Sequence, residues 1–256
     1  RKDFIQLLEN TANLQLFKNI HITTNGTLIK NQIPKMKSLG ISKINLSLDT
    51  LDAERFKKIT RRSDFEKVMK TFHQLVEEGF QVKVNAVVMQ GVNVMDILPL
   101  AQLAADYPVS IRYIEEMPFN GGYKENQKIC TAKDIQQTLQ SAYPSLQPMV
   151  GKHGDTATEY QVEGFKGTLG IIPAFSRTFC NTCNRLRITA KGEIKTCLYD
   201  SGVFSIRDFI RSGVTDDQLT EKIIALIKLK PKDGFAAEEG SKLRITRSES
   251  MSSIGG

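Results

Sequence analysis

The chain has 256 residues, of which 40% are hydrophobic, so it is long enough for one or two domains with a buried core. No apolar run approaches the roughly 20 residues of a membrane span, and the charged start lacks the apolar segment of a signal peptide. The net charge of +7 fits an anionic partner, a nucleic acid or a polyphosphate, but also a solvated helix face. The absence of tryptophan argues against a stacking surface for single-stranded nucleic acid.

The first part of the chain alternates between strand and helix patterns. Strands are predicted at 19–26, 43–50, 81–91 and 109–117, and helices at 33–39, 51–59, 65–79 and 94–106. Gly40 and Gly79 stand where two of these helices end, as expected of C-terminal caps. The β-α alternation favours an α/β fold with a parallel sheet or barrel.

Polar side chains occur at or near the carboxyl end of each of these strands. They are Thr23, Thr24, Asn25, Ser47, Asp49, Lys83, Asn85, Arg112 and Glu115. A strand buried on both faces would be apolar throughout. Each polar residue could instead cap a helix or turn, which for Ser47 and Asp49 alone is an equally good explanation. Because the polar residues recur on four strands, we predict a functional site at the rim of a barrel.

The pattern changes after Met117. A loop is predicted at 117–128, a helix at 131–141, β-like segments at 146–150 and 159–172, helices at 204–211 and 216–228, and a mostly irregular tail at 229–256. The cysteine-rich segment lies between the second β-like segment and the last two helices. This half of the chain therefore does not continue the β-α alternation.

Three of the four cysteines, Cys180, Cys183 and Cys197, lie within 18 residues. Without a signal peptide, this cluster predicts a metal centre in a reducing cytoplasm rather than a disulfide framework. Cys180 and Cys183 share one turn, and a hairpin over 185–197 would return Cys197 to them. The fourth cysteine, Cys130, is predicted to be an ordinary packed or surface residue.

Three thiolates are one ligand short of a closed zinc site, although His153 could supply a fourth. They are also one short of the four that normally hold a [4Fe–4S] cluster. We favour the cluster, with one iron open to a substrate; zinc, or no metal at all, remains an alternative.

Two further features could bind an anion or enter a site. Arg185 and Arg187 occupy alternate positions of one predicted strand, and their guanidinium forks suit a planar or phosphate-bearing ligand. Surface charge on a hairpin is the alternative. The terminal Gly255 and Gly256 lack a Cβ and could thread a narrow channel, although chain ends are usually disordered.

The sequence resembles the radical-SAM family of GTP 3′,8-cyclases of molybdenum cofactor synthesis. The resemblance runs in order through TTNGTLI (23–29), INLSLDTLD (44–52), VKVNAVVMQG (82–91), IRYIEEMP (111–118), FCNTCNRLRIT (179–189), Cys197-Leu198 and Gly255-Gly256. The FC-x2-CNRLR segment, with a cysteine 14 residues after its second one, is the most specific of these motifs.

The resemblance implies an incomplete parallel (β/α)6 barrel, of which 1–118 would be a part. The C-terminal region, 119–256, would bind the [4Fe–4S] cluster and GTP and end in the diglycine tail. The family's C-x3-C-x2-C loop and GGEP-type turn are absent from these residues. We therefore expect that the chain begins after them, lacks the first strands and does not cleave S-adenosylmethionine (SAM) by itself.

The resemblance also implies the reaction. A radical formed from SAM takes the 3′ hydrogen of GTP, and C3′ then bonds to C8, giving (8S)-3′,8-cyclo-7,8-dihydroguanosine 5′-triphosphate. A cyclic pyranopterin monophosphate synthase would act on the product. The enzyme would be cytoplasmic, with a homodimer as one expectation and without nucleic-acid or membrane partners. A twin-cluster radical-SAM enzyme acting on peptides and a zinc-stabilised nucleic-acid-binding module are the alternatives.

The site residues follow from the same resemblance. Cys180, Cys183 and Cys197 would hold a [4Fe–4S] cluster whose open iron meets the guanine, and a second [4Fe–4S] cluster would belong to the intact enzyme. The other implied contacts are Thr23, Lys83, Arg185 and Arg187 with GTP, Ser47 and Met117 with SAM, Arg112 at the reacting centre, and Gly255 and Gly256 in the active site.

Overall fold

The structure of the protein, a computed structural model, describes residues 2–117, 128–200 and 204–242. These residues form two compact units. The first consists of Arg1–Glu116, Lys128–Gly151 and Ala157–Ala174, and the second of Met117–Gln127, Lys152–Thr156 and Phe175–Gly256. None of the helices in the described ranges has both the length and the apolar character that crossing a membrane requires.

A mostly parallel sheet forms the centre of the first unit. Its strands within the described ranges are β1 (His21–Thr24), β2 (Lys43–Ser47), β3 (Gln81–Val88), β4 (Ser110–Glu115), β5 (Gln147–Pro148), β6 (Thr158–Gln161) and β7 (Thr168–Ile172). Their order across the sheet is β1-β2-β3-β4-β7-β6-β5. The four pairs from β1 to β7 in this order are parallel. The pairs β7–β6 and β6–β5 are antiparallel and continue the sheet at its far edge.

The predicted α/β class is confirmed, and the predicted segment at 159–172 proves to be two strands. Gly164 lies in the turn between them with a φ of +82°, a left-handed conformation that favours glycine. The antiparallel return at this turn is the reason why the segment does not fit the β-α pattern.

Six helices belong to the described part of the first unit. They are α1 (Phe4–Asn13), α2 (Ile33–Ser38), α3 (Ala53–Thr60), α4 (Phe65–Glu77), α5 (Ile97–Asp106) and α6 (Ala132–Ala142). All of them except α1 are predicted from the sequence, and α1 contributes Leu8 to the core. The side chain of Asp52 caps α3, and Thr131 forms a capping box with Asp134 at the start of α6.

The strands of this sheet have one apolar and one polar face. In β3, Val82, Val84, Ala86 and Val88 are buried, and the residues between them are more exposed. Side chains alternate along a strand, and the buried set packs with helix residues such as Phe72 in one hydrophobic core. The other face is therefore the one on which polar residues can meet a ligand.

The second unit is smaller in its regular structure. Its described elements are the antiparallel strands β8 (Arg187–Ile188), β9 (Glu193–Lys195) and β10 (Phe204–Ser205), followed by α7 (Ile206–Arg211), α8 (Asp216–Lys228) and α9 (Gly234–Lys242). The predicted hairpin is confirmed as β8 and β9, shorter than predicted. The helix α9 was not predicted, since the tail was expected to be mostly irregular; the carboxylate of Asp233 accepts a hydrogen bond from the Ala236 amide at its start.

Candidate functional site

The polar face of the first unit's sheet carries two rows of side chains. The strand register aligns Thr23, Asn45, Lys83, Ser110 and Thr168 in one row and Ser47, Asn85, Arg112 and Gly170 in the next. Five of the nine residues predicted from the strand ends share this face: Thr23, Ser47, Lys83, Asn85 and Arg112. Ser47 is the last residue of β2, whereas Lys83, Asn85 and Arg112 lie within their strands rather than at the carboxyl ends. Regular parallel pairing is sufficient to align them.

An ion pair occupies one end of this face. Arg112 Nη2 donates to Glu159 Oε1 at 2.5 Å, with side chains only 21% and 24% exposed. The other oxygen of Glu159 accepts from the hydroxyls of Ser110 and Thr168 at 3.1 and 3.3 Å. A Cβ on Gly170 would stand 3.1 Å from that oxygen, so glycine leaves the space that the ion pair occupies.

Sequence reasoning missed Glu159. It lies on β6, an antiparallel strand that does not belong to the β-α series, and it reaches Arg112 only through the register of β6 with β7. A charged residue inside the short segment TEYQ was the one available signal. The pairing fixes the direction of the Arg112 guanidinium, which the resemblance assigns to the reacting centre.

Several cations surround His21 on the same face. Burial lowers the pKa of His21, and the charges of Lys43, Lys83 and Arg112 lower it further. A histidine that several cations make harder to protonate reports a positive local potential. Such a face favours an anionic ligand.

Two buried polar atoms on this face have no hydrogen-bond partner among the described residues. They are Asn85 Oδ1 and Arg112 Nε, on adjacent strands of the second row. Buried polar groups are normally satisfied by protein, water or ligand. The face is therefore suited to a polar ligand, and Ser47, an exposed residue aligned with Asn85, lies in the same row.

Four of the predicted rim residues instead hold the backbone. Asp49 accepts a hydrogen bond from a backbone amide of β3, and burial raises its pKa. Glu115 accepts from the first amide of α6, while Thr24 and Asn25 accept hydrogen bonds within their own turn. Glu115, Thr24 and Asn25 thus act at a helix start or a turn, as the capping explanation expects, Asp49 instead binds a strand amide, and the other five lie on the polar face.

The predicted cysteine segment lies in the second unit. Cys180 begins a short 3-10 helix, Cys183 ends it, and the hairpin of β8 and β9 returns the chain to Cys197. Burial raises the pKa of the Cys197 thiol, and the electrostatic effects of Asp200 and Cys180 raise it further. Asp200 holds the turn by accepting from the amides of Thr196 and Cys197 at 3.0 and 2.9 Å.

The four cysteines divide between the two units of the chain. Within the described ranges, no three His, Cys, Asp or Glu side chains converge closely enough to hold one metal ion. Cys180, Cys183 and Cys197 are partly exposed in the second unit, whereas Cys130 is packed in the core of the first.

The two predicted arginines differ in position. Arg187 is half-buried in β8 opposite Lys195. Arg185 precedes the strand and donates from Nη2 to the hydroxyl of Thr156 at 3.0 Å. The expectation that both project from one strand therefore applies only to Arg187, because β8 begins there.

An arginine that sequence reasoning missed organises the same unit. The Arg177 guanidinium lies 3.9 Å from the Tyr199 ring centroid and 4.4 Å from that of Phe235, and pairs with Glu238 at 2.8 Å. Burial raises the pKa of Tyr199 to about 12, against the opposing effect of Arg177.

The Tyr199 hydroxyl donates to the Met117 sulfur at 2.9 Å, which fixes the position of this predicted SAM contact. Gly255 and Gly256 lie outside the described residues.

Two family models match the chain. Residues 1–104 match the Radical SAM superfamily, and residues 109–236 match Molybdenum Cofactor Synthesis C. The first match covers β1 to β3 and the helices between them, and the second includes all three clustered cysteines.

Curated relatives match over nearly the whole chain. Molybdenum cofactor biosynthesis protein 1 of Bos taurus is 37% identical over 91% of the chain and 37% of its own length. The mitochondrial GTP 3′,8-cyclase of Arabidopsis thaliana is 36% identical over 90% and 59%. The GTP 3′,8-cyclase of Chlorobaculum tepidum is 35% identical over 92% and 70%.

A solved structure shares the fold. The crystal structure of Streptococcus suis SuiB bound to S-adenosylmethionine has a TM-score of 0.53 and 18% identity, covering 77% of this chain and 46% of that one. At this identity the likeness concerns the fold alone, and it agrees with a mostly parallel α/β sheet.

Proposed function

The chain belongs to the GTP 3′,8-cyclase family of the radical-SAM superfamily, and from this premise we propose that it takes part in the radical-SAM cyclisation of GTP. The product would be (8S)-3′,8-cyclo-7,8-dihydroguanosine 5′-triphosphate, in the first step of molybdenum cofactor synthesis. The chain spans only 37% of the length of the cattle relative, so the reaction is proposed for the whole enzyme.

The observation that carries this proposal is the cysteine arrangement. The turn with Cys180 and Cys183 and the hairpin that returns Cys197 form a three-thiol set next to the arginine pair of the CNRLR motif. We propose that these cysteines hold a [4Fe–4S] cluster that is additional to the SAM-cleaving cluster of the intact enzyme. With three protein ligands, one iron is open to the guanine of GTP.

On the sheet of the first unit, Ser47 would contact SAM, and Thr23 and Lys83 would contact GTP. The positive potential around His21 supports an anionic ligand on that face. Arg112 would meet the reacting centre from its fixed position against Glu159. When bound, SAM and its cluster supply the radical that removes the ribose hydrogen.

In the second unit, Arg185 and Arg187 would bind oxygens of GTP, with Arg185 held by Thr156. Met117 would lie against SAM, with its sulfur held in place by the hydrogen bond from the Tyr199 hydroxyl. Gly255 and Gly256 would reach the active site. Guanidinium groups suit this role because they bind paired oxygens in a planar fork.

The wider architecture and partners belong to the same proposal. The sheet would be part of an incomplete (β/α)6 barrel in a region 1–118, with the cluster and GTP region at 119–256. The enzyme would work in the cytoplasm as a homodimer, without nucleic acid or membrane, and a cyclic pyranopterin monophosphate synthase would act on its product.

Metal analysis tests the cluster assignment. After anaerobic reconstitution with iron and sulfide, the chain should bind about four of each per molecule and turn brown. Cys183→Ala should lose most of the iron and the charge-transfer absorbance, and Cys130→Ala, the matched control, should keep both. One equivalent of zinc with no retained iron would overturn the assignment.

GTP binding tests the arginine assignment. Loss of a hydrogen bond to a charged group costs about 1.5–3 kcal/mol, so Arg187→Ala should weaken GTP binding by roughly ten- to a hundredfold in calorimetry. Lys166→Ala, in an exposed loop, is the control. Equal affinities of wild type and Arg187→Ala would remove Arg187 from the site.

A further inference from the structure

Lys230 follows the end of helix α8 at a fixed position. A capping box of Thr215 and Gln218 holds the start of the helix, and the Lys230 amide donates to the Ile227 carbonyl at 3.0 Å. Pro231 comes next and cannot continue the helix. The backbone from which the Lys230 side chain extends is thus anchored independently of the cysteine segment.

The Lys230 ammonium reaches the turn after the second cysteine. Its Nζ donates to the Arg185 carbonyl at 2.8 Å and lies 3.8 Å from the sulfur of Cys183. One half-buried cation therefore contacts both the backbone between Cys183 and Arg187 and the sulfur of Cys183 itself.

This position has a chemical consequence for a cluster. Cluster ligands are thiolates, and net charge, together with hydrogen bonds to the sulfurs, sets the reduction potential. An ammonium at a ligand sulfur favours the reduced, more negative state of a cluster and raises its potential. Groups that hold ligands from outside the coordination sphere also commonly contribute ten- to a hundredfold to metal retention.

We propose that Lys230 is a positioning residue for the three-cysteine cluster, which donates to the Cys183 sulfur, fixes the turn through the Arg185 carbonyl and raises the cluster's reduction potential. This inference rests on the cluster assignment of the proposed function. Lys230 would act in two ways, through its hydrogen bond to the Arg185 carbonyl and through its charge at the Cys183 sulfur. Substitutions that remove the charge alone, or both charge and hydrogen bond, distinguish the two.

The test uses the full 256-residue chain, reconstituted anaerobically with iron and sulfide. Lys230→Met removes both tether and charge, Lys230→Gln keeps a donor without the charge, and Lys230→Arg keeps a charge and donors. Lys228→Met, at an exposed position of the same helix, is the matched control. Two readouts independent of catalysis are followed: iron released to a chelator, and the midpoint potential in a redox titration monitored by electron paramagnetic resonance.

We expect Lys230→Met to retain iron roughly tenfold less well and to shift the midpoint potential to a more negative value. Lys230→Gln should show the negative shift with smaller iron loss, Lys230→Arg should restore the potential, and Lys228→Met should match wild type. If Lys230→Met does not fold, the shift in Lys230→Gln decides the question.

Two results would overturn the inference, and they are distinguishable. A wild-type chain that retains no iron would remove the cluster assignment and this inference with it. A wild-type chain with an intact cluster, whose potential and iron retention are unchanged in Lys230→Met and Lys230→Gln, would overturn the role of Lys230 and leave the cluster assignment standing.

Discussion

The two units of the chain hold their candidate functional residues by different means. In the first unit, regular parallel pairing aligns residues such as Thr23, Lys83 and Arg112 on one face of a sheet. In the second unit, the cysteines lie on turns and a short hairpin, and side chains such as Asp200 and Arg177 hold the backbone around them.

This difference indicates where each site gets its rigidity. The sheet residues stand on strands whose other face is buried in a hydrophobic core, so their positions depend on packing that is independent of any ligand. The cysteine turns are held by local backbone hydrogen bonds, such as those of the Cys180 and Cys183 amides, and by side-chain contacts such as that of Asp200, without a packed sheet beneath them. We therefore expect the second unit to gain more stability from a bound metal group than the first.

Removing the metal should have the largest effect on stability, and this effect should be confined to the second unit. Stripping iron from the reconstituted chain should destabilise the second unit by several kcal/mol, because metal binding is coupled to folding there. Hydrogen exchange would show the loss of protection across Cys180–Asp200, with β2 to β4 unchanged. In Cys180→Ser, which lacks one of the three proposed ligands and should hold little iron, the chelator should change the exchange rates little. Equal loss of protection in both units would contradict the comparison.

Replacing Arg177 should have the next largest effect, still confined to the second unit. Arg177→Met removes two ring contacts and the pair with Glu238 around a side chain that is only 8% exposed. We expect a loss of roughly 2 kcal/mol, seen as faster hydrogen exchange in α9. Arg211→Met, at an exposed position of α7, is the control. Unchanged exchange in α9 would mean that the stacking does not hold this helix.

The same contrast explains what could be predicted from sequence. Hydrophobic periodicity, helix caps and the β-α alternation identified the sheet and most helices. The polar residues were predicted as a rim at the strand ends, and the strand register places five of them on one face instead. The hairpin followed from the turn at Gly192, which has a φ of +77°. Glu159, Arg177 and Lys230 were missed because each acts through a partner distant in sequence, and no local pattern encodes such a contact.

Weakening the ion pair between Arg112 and Glu159 tests how much this pair stabilises the first unit. Glu159→Gln keeps the shape but removes the charge, and hydrogen bonds to a charged group are worth about 1.5–3 kcal/mol. We expect a loss of about 1–2 kcal/mol in the urea unfolding of the first unit, because part of each side chain remains solvated. Glu163→Gln, at an exposed position, should be neutral. A loss found only in the second unit would exclude this role for Glu159.

The smallest predicted effect concerns the charge of the sheet face. Because the pKa of His21 lies below its ordinary value of 6.5, protonation of His21 disfavours the folded state. Above 6.5 the ring is neutral in both states and its titration does not affect stability. As the pH falls below 6.5 the unfolded chain binds the proton more readily, so the folded state loses stability. A polyphosphate bound near Lys43 and Lys83 would offset their charges and raise this pKa, by less than about one unit.

Nuclear magnetic resonance of the histidine rings measures this shift directly. With increasing GTP, the titration midpoint of His21 should move upward, whereas the resonances of His73, which packs against Phe72 and Tyr107 in the helical layer, should not respond. Lys83→Met should itself raise the His21 midpoint and reduce the further effect of GTP. A His21 midpoint that GTP leaves unchanged would mean that the positive sheet face does not bind the triphosphate, and that the anion-binding role rests with Arg185 and Arg187.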